Sequence, residues 1–345
     1  MKLPAVSLFS GAGGLDLGVN KAGFKTLCSV ELDPHCAATL QQNARAKTIW
    51  QVDVRVLDTS RVASILNIRR KDLVLLHGDP PWETAARISH EPNTPQLREA
   101  LAFEMVRFAR ALQPTAVMIV QGPNFLKLSH SPDSLLKDVL AERFREIGYD
   151  MHEAVLDAVD YSIPQRRRQV FIICVPQGQE YEFPFKVLLP EPVNAGEAIK
   201  DLPPPAKNGG EPKVPNHVDV TPARDSDRIA YVKEGEWLAK SNAPPEVIRK
   251  LTRKDSAKYR RLDRELPSPT LRRGEILYHP VKNRYLTPRE TARLQGFDDH
   301  YEFRGPIRRL FGWVSDLDQH RQVANAVPPP LAQVVATSLR KSLAL

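Results

Sequence analysis

The sequence predicts an α/β protein: a doubly wound, mostly parallel sheet of the Rossmann-like kind, carrying a small irregular lobe. Three observations lead there. Between residue 5 and about residue 175, short β-type runs alternate with helical stretches, the mark of βαβ crossovers. A Gly-rich turn, Phe9-Ser10-Gly11-Ala12-Gly13-Gly14, directly follows the first run. Over 176–258 the composition shifts toward Pro, Lys, Glu and Asn, with Pro203-Pro204-Pro205 and Gly209-Gly210, which reads as irregular backbone. The expected division is 1–175, 176–265 and 266–345.

In order, strands are expected over 5–10, 26–32, 73–77, 116–121, 149–158 and 170–175. Leu97, Leu101, Met105, Phe108 and Leu112 recur at helical spacing and predict a helix over 97–112. Thr287-Pro288-Arg289-Glu290 places Thr at an N-cap, Pro at the first helical position and Glu at the third, a capping box for a helix over 289–295. A last helix is expected over 330–343, returning to the large domain.

At 345 residues and 42% hydrophobic content the chain can bury a large core. No run of 18 or more apolar residues occurs, and a core strand begins almost at the first residue; the expected location is cytoplasmic, nucleoid-associated if bacterial. Cys28, Cys36 and Cys174 are widely spaced, which argues against disulfides or structural zinc and for small buried side chains. No metal is expected. The net charge is +8, with Arg and Lys clustered at 166–168, 249–253, 258–264 and 272–273, and this points to a polyanion partner.

The Gly-rich turn is followed by an acid, Glu31, at the end of the second strand. A strand, a glycine turn and a carboxylate suit an adenosine-containing cofactor, whose ribose hydroxyls the acid accepts from. The third glycine of a dinucleotide fingerprint would fall on Asp16, which favours a nucleoside without pyrophosphate. No G-x-x-x-x-G-K-[ST] is present, so an ATPase reading fails. Taken alone, the turn also fits a purely structural role.

The turn, Glu31, Asp53 after Val52, Gly78-Asp79-Pro80-Pro81, Pro164-Gln165-Arg166-Arg167-Arg168, Arg261-Leu262, Pro267-Ser268-Pro269-Thr270, His279-Pro280, Leu286-Thr287-Pro288-Arg289-Glu290, Ala292-Arg293-Leu294-Gln295-Gly296-Phe297 and Asn325-Ala326-Val327-Pro328-Pro329 follow one another as in cytosine-C5 DNA methyltransferases. The chain resembles that family over nearly its whole length outside 176–258. The resemblance implies an S-adenosylmethionine-binding catalytic domain at 1–175, a target-recognition lobe at 176–265 and a C-terminal segment that rejoins the catalytic domain. It implies a cofactor site of Phe9, Gly11, Gly13, Glu31, Asp53 and Asn325, and double-stranded DNA as partner. A restriction endonuclease or companion methyltransferase is a further expected partner.

Two departures bear on chemistry. In the family a cysteine follows Pro-Pro and adds to C6 of a flipped cytosine, while a glutamate protonates N3. Here Trp82 and Gln121 stand in those places, and Gln165-x-Arg167-x-Gln169 has glutamine where a second arginine is expected. An indole does not add to a pyrimidine and an amide has no labile proton to deliver, so no 5-methylcytosine activity is expected.

Asp79-Pro80-Pro81-Trp82 resembles instead the (Asp/Asn/Ser)-Pro-Pro-aromatic motif of methyltransferases that modify an exocyclic amine, adenine N6 or cytosine N4. An aryl amine is a weak nucleophile. Acceptance of its N–H groups by the Asp79 carboxylate and the Pro80 carbonyl would free the lone pair, and Trp82 would stack on the flipped base. Asp79, Pro80, Pro81 and Trp82 are thus the expected catalytic residues, with Gln121 and Arg167 in the base pocket. The alternative is a non-catalytic DNA-binding or partner subunit. Residues 83–98, with Arg87, His90 and Arg98, occupy the place of the family's closing loop, and the Arg249 to Arg261 segment with Tyr259 suits phosphate contacts. His217 and His279 read as ordinary polar residues. Adenine and cytosine both remain open.

Overall fold

The computed structural model describes residues 2–44, 48–81, 95–187, 191–248, 259–272, 275–308 and 317–344, with backbone alone for 95–100. At its centre is a seven-stranded sheet of β1 (Leu3–Leu8), β2 (Phe24–Glu31), β3 (Thr48–Gln51), β4 (Leu75–Gly78), β5 (Ala116–Gln121), β6 (Tyr149–Asp157) and β7 (Arg168–Pro176). Their order is β3-β2-β1-β4-β5-β7-β6, parallel throughout except β7, which runs antiparallel to both neighbours.

All six expected strands are present. β3 is the addition: four half-exposed residues held on one side only, by β2, where Cys28 pairs with Thr48. An edge strand this short has no alternation for a sequence pattern to reveal.

The helices are α1 (Gly14–Lys21), α2 (Pro34–Asn43), α3 (Thr59–Ile65), α4 (Pro95–Leu112), α5 (Leu136–Arg145), α6 (Ala195–Ile199), α7 (Ala223–Ile229), α8 (Pro245–Ile248), α9 (Pro288–Leu294), α10 (Gln319–Asn325) and α11 (Pro329–Ser342). One face of the sheet is buried by α3, α4 and α5: Leu101, Met105, Phe108 and Leu112 of the expected stripe join Val62, Leu140 and Phe144 in a single cluster. The other face is covered by α1 and α11, through Leu15 and Val19 with Leu331, Val335 and Leu339. All three cysteines are buried and none is in a disulfide. The capping box is formed, Glu290 N donating to Thr287 Oγ1 at 3.2 Å and Thr287 N to Glu290 Oε2 at 2.8 Å.

Because α1 and α11 pack side by side, the glycines of α1 lie against the returning chain. A Cβ on Gly14 would sit 2.3 Å from the Val327 carbonyl oxygen, and one on Gly18 2.3 Å from that of Pro329. Glycine is required there by space, and one methyl group would push the helices apart. Gly18→Ala is expected to cost about 2 kcal/mol, in the range of overpacked cores, and to lower the melting temperature. A variant melting with the wild type contradicts this packing.

Candidate active site

A cavity of about 1260 Å³ opens beyond the carboxyl ends of β1, β2, β4 and β5. This is where an open α/β sheet leaves a crevice, because the connections after β1 and β4 leave to opposite sides. Of the expected site residues, Phe9, Gly11, Glu31, Asp53, Asp79, Pro80, Pro81, Gln121, Arg167 and Asn325 all line it. Trp82 and residues 83–94 lie outside the described residues, as do 249–258 and the side chain of Arg98.

At one end lies the turn after β1. Phe9 and Gly11 both have φ 53, a left-handed backbone that glycine accepts freely and phenylalanine at a cost of about 1–3 kcal/mol. Gly11 N donates to Glu31 Oε2 at 2.6 Å, and Asp33 N to Glu31 Oε1 at 2.8 Å. Burial pushes the Glu31 carboxyl up to about 7 despite these two hydrogen bonds. Asp53 sits on the same wall; burial pushes its carboxyl up, but hydrogen bonds and charge pairing with Arg55, Nη2 to Oδ2 at 2.6 Å, outweigh that and leave it below the usual range. Gly13, between Ala12 and Gly14 of the cavity wall, has φ 82 and the Tyr301 hydroxyl 2.5 Å from an added Cβ, which by themselves require a glycine.

Two residues without a sequence signal support this turn. Tyr301 Oη donates to the Ala12 carbonyl at 2.6 Å, fastening the turn to the C-terminal part of the chain. Asp16 is 2% exposed and accepts from Ser7 Oγ at 2.6 Å and Ser29 Oγ at 2.5 Å, with His77 Nδ1 3.8 Å away, so one carboxylate joins β1, β2 and β4. Only its position, as the residue that breaks the dinucleotide fingerprint, made Asp16 visible beforehand.

At the other end lie Asp79, Pro80 and Pro81, just past β4, and Gln121, the last residue of β5. Gln121 Nε2 donates to the Pro80 carbonyl at 2.9 Å, while its Oε1 is buried without a hydrogen-bond partner among the described residues. This changes the expected use of the Pro80 carbonyl, which accepts from the protein itself, because a buried amide nitrogen must find an acceptor. Arg166 and Arg168 are exposed and Arg167 half-buried, yet all three border the cavity, so alternation does not send the neighbours elsewhere.

In the small lobe, Arg261 is 4% exposed and donates to the carbonyls of Val232 at 2.5 Å and Ile229 at 2.7 Å. It organises the lobe's interior and is not available for the phosphate contacts expected of its segment. His217 bonds Thr287 and Pro203, and His279 Nδ1 accepts from Val281 N and Lys282 N, so both act as structural polar residues. Among the described residues no His, Cys, Asp and Glu cluster fits a metal ion, and no helix is long and apolar enough to cross a membrane.

A family model described as C-5 cytosine-specific DNA methylase matches residues 3–341. The chain is 31% identical to Type II methyltransferase M1.HphI of Haemophilus parahaemolyticus, over 99% of this chain and 87% of that one. It is 30% identical to Type II methyltransferase M.DdeI of Desulfomicrobium norvegicum, over 96% and 87%. Among solved structures it is similar to a protein described as a DNA modification methyltransferase encoded within a prophage (E. coli), with TM-score 0.77 and 22% identity over 100% of both chains. S. pombe Dnmt2 methyltransferase gives TM-score 0.60 and 15% identity, again over 100% of both. At those identities the structural likeness is one of fold. The family match, by contrast, runs from the first strand into the last helix and takes in the whole cavity wall: this chain belongs to the C-5 cytosine-specific DNA methylase family.

Proposed function

We propose that the protein is a DNA methyltransferase that uses S-adenosylmethionine and, within a C5-type scaffold, methylates an exocyclic amine of a flipped base, adenine N6 or cytosine N4, without a covalent intermediate. The observation that carries this reading is the orientation of Gln121. Its amide nitrogen donates to the Pro80 carbonyl, and its oxygen is buried with no hydrogen-bond partner among the described residues. It can accept an N–H from a base amine, but as an amide it has no labile proton to deliver to cytosine N3. C5 chemistry therefore lacks the nucleophile, at Trp82, and also the assisting donor.

An amine needs acceptors instead. Asp79 and the Gln121 oxygen offer two, one for each N–H, which draws the nitrogen toward tetrahedral geometry. As the nitrogen gains its methyl group it must shed a proton, and the Asp79 carboxylate is the base at hand to take it. Trp82, by its place in the sequence, supplies an aromatic face for the base, worth about 1–3 kcal/mol in stacking.

The turn fits the cofactor. Glu31 is a buried carboxylate with no cation paired to it among the described residues, a state that ribose hydroxyls and a nearby positive sulfur relieve. Gly11 leaves nothing within 4 Å of an added Cβ, so the backbone there is open to close approach. Glu31 would hold the ribose and Asp53 the adenine amine, with Phe9 and Asn325 flanking the site. When bound, S-adenosylmethionine supplies an electrophilic methyl group.

Two experiments follow. In the free protein the Glu31 carboxyl is held up to about 7, against 4.5 ordinarily. Stability is therefore greatest below pH 4.5 as far as this group is concerned, and about 3 kcal/mol is lost as pH rises to about 7. Cofactor binding needs the ionised form, so affinity measured calorimetrically should rise about tenfold per pH unit up to about 7 and then level off, and Glu31→Gln should flatten the profile; a flat wild-type profile contradicts the assignment. Asp79→Ala should lower transfer of labelled methyl to DNA at least 100-fold, the range of lost general-base catalysis, with cofactor binding intact. Unchanged turnover sinks the amine reading, as would 5-methylcytosine made by Trp82→Cys.

A further inference from the structure

We propose that the turn Arg69-Arg70-Lys71 is a second, sequence-independent DNA-binding surface, which holds a separate duplex by its phosphates at the end of the sheet opposite the cavity. This shares with the reading above the premise that the substrate is duplex DNA, and nothing of the amine chemistry. The turn lies between α3 and β4, where the parallel strands begin. Val74 N donates to the Pro4 carbonyl of β1 at 3.0 Å, and Lys71 N to that of Leu112, the last residue of α4, at 3.2 Å. The cavity opens beyond the other ends of these strands.

The backbone of the turn is fixed while its cations face solvent. Ile68 is 8% exposed and anchors it. Asp72 N donates to the Arg69 carbonyl at 3.0 Å, and the Asp72 carboxylate accepts from Arg69 N at 3.1 Å, so the adjoining acid is engaged by the turn's own backbone. Lys71 has φ 76, a left-handed conformation that costs a residue with a side chain about 1–2 kcal/mol. Arg69, Arg70 and Lys71 are all exposed, and none forms an ion pair among the described residues. Cations gather where helices end because the helix dipole favours them, and this accounts for Arg110 in the last turn of α4, which lies 3.7 Å from Glu146. It does not account for the turn, since α3 ends at Ile65, nor for Lys2 and Lys25, exposed where β1 and β2 begin. Pro4 pairs with Lys25 and Ala5 with Leu75, so β2, β1 and β4 lie side by side and these cations share one end of the sheet.

The side chains select the partner. A protein partner needs an apolar centre to its interface, and of the described residues 59–72, Ile65 is the one large apolar side chain that is exposed. The surface offers charge and two guanidinium forks instead, which match phosphate oxygens. A duplex presents such oxygens along its whole length, whatever its base sequence.

The test uses the full chain and a labelled duplex of about 16 base pairs, too stiff to bend round the molecule and reach both ends of the sheet. Sedimentation velocity counts the duplexes bound per chain at about 50 mM and about 200 mM salt. The wild type should take two at low salt, and the triple variant Arg69→Ala, Arg70→Ala, Lys71→Ala one, with the salt slope of overall binding falling by about 2–3, the loss of three phosphate contacts. Melting temperature and single-turnover methyl transfer to genomic DNA fragments should match the wild type, since the three side chains are exposed and none lines the cavity. If the triple variant melts lower, Arg70→Glu alone serves, and it should weaken the second duplex while leaving the first. A wild type that takes a single duplex, or a triple variant that still takes two, overturns the proposal. So does poly-glutamate that binds the wild type and not the variant where no second duplex binds, because the surface then serves an acidic protein. A wild type that takes no duplex at all defeats the reading of the protein as a DNA enzyme, and this proposal with it.

Discussion

The site depends on the return of the chain's end to its beginning. Val327 and Pro329 lie against Gly14 and Gly18 so closely that no side chain fits between them, and Leu331, Val335 and Leu339 then cover one face of the sheet. The same return brings Asn325 to the cavity and lets Tyr301 grip the Ala12 carbonyl. The glycine turn is thus braced from outside by the C-terminal segment and from beneath by Asp16, which ties together the three strands around it. A backbone held in left-handed conformation at Phe9 persists only where its surroundings leave no alternative.

On that braced scaffold, a single hydrogen bond joins the ends of β4 and β5. Gln121, at the end of β5, donates its amide nitrogen to the Pro80 carbonyl just past β4 and so fixes the side chain between the two strand ends. Asp79 lies beside this pair on the cavity wall, with Arg166, Arg167 and Arg168 bordering the same cavity. Family membership and chemistry are separate questions here. The family match describes the scaffold, while the chemistry proposed here rests on Asp79 and Gln121, positions at which the chain leaves the family's pattern or gains a motif resembling another class.

Much of this was legible beforehand, for physical reasons that differ by element. The turn and Glu31 stood out because close backbone approach demands glycine and ribose recognition demands an acid at the next strand's end. The helix ending at Leu112 and the capping box at Thr287 were legible because helical period and cap chemistry are local. Long-range partners were not. The packing of Gly13 under Tyr301, nearly 290 residues away in sequence, had no local signal. Arg261 looked like a phosphate ligand and is instead wrapped in backbone carbonyls of its own lobe. The direction of the Gln121 amide was also invisible, because it depends on a carbonyl contributed by a different strand end.

The account's central claim is the atom that receives the methyl group. The most direct measurement is nucleoside mass spectrometry of unmethylated genomic DNA incubated with the purified protein and isotopically labelled S-adenosylmethionine. The account predicts label in N6-methyladenine or N4-methylcytosine, and whichever appears names the base. Label in 5-methylcytosine, or in no base although the cofactor binds, would contradict it.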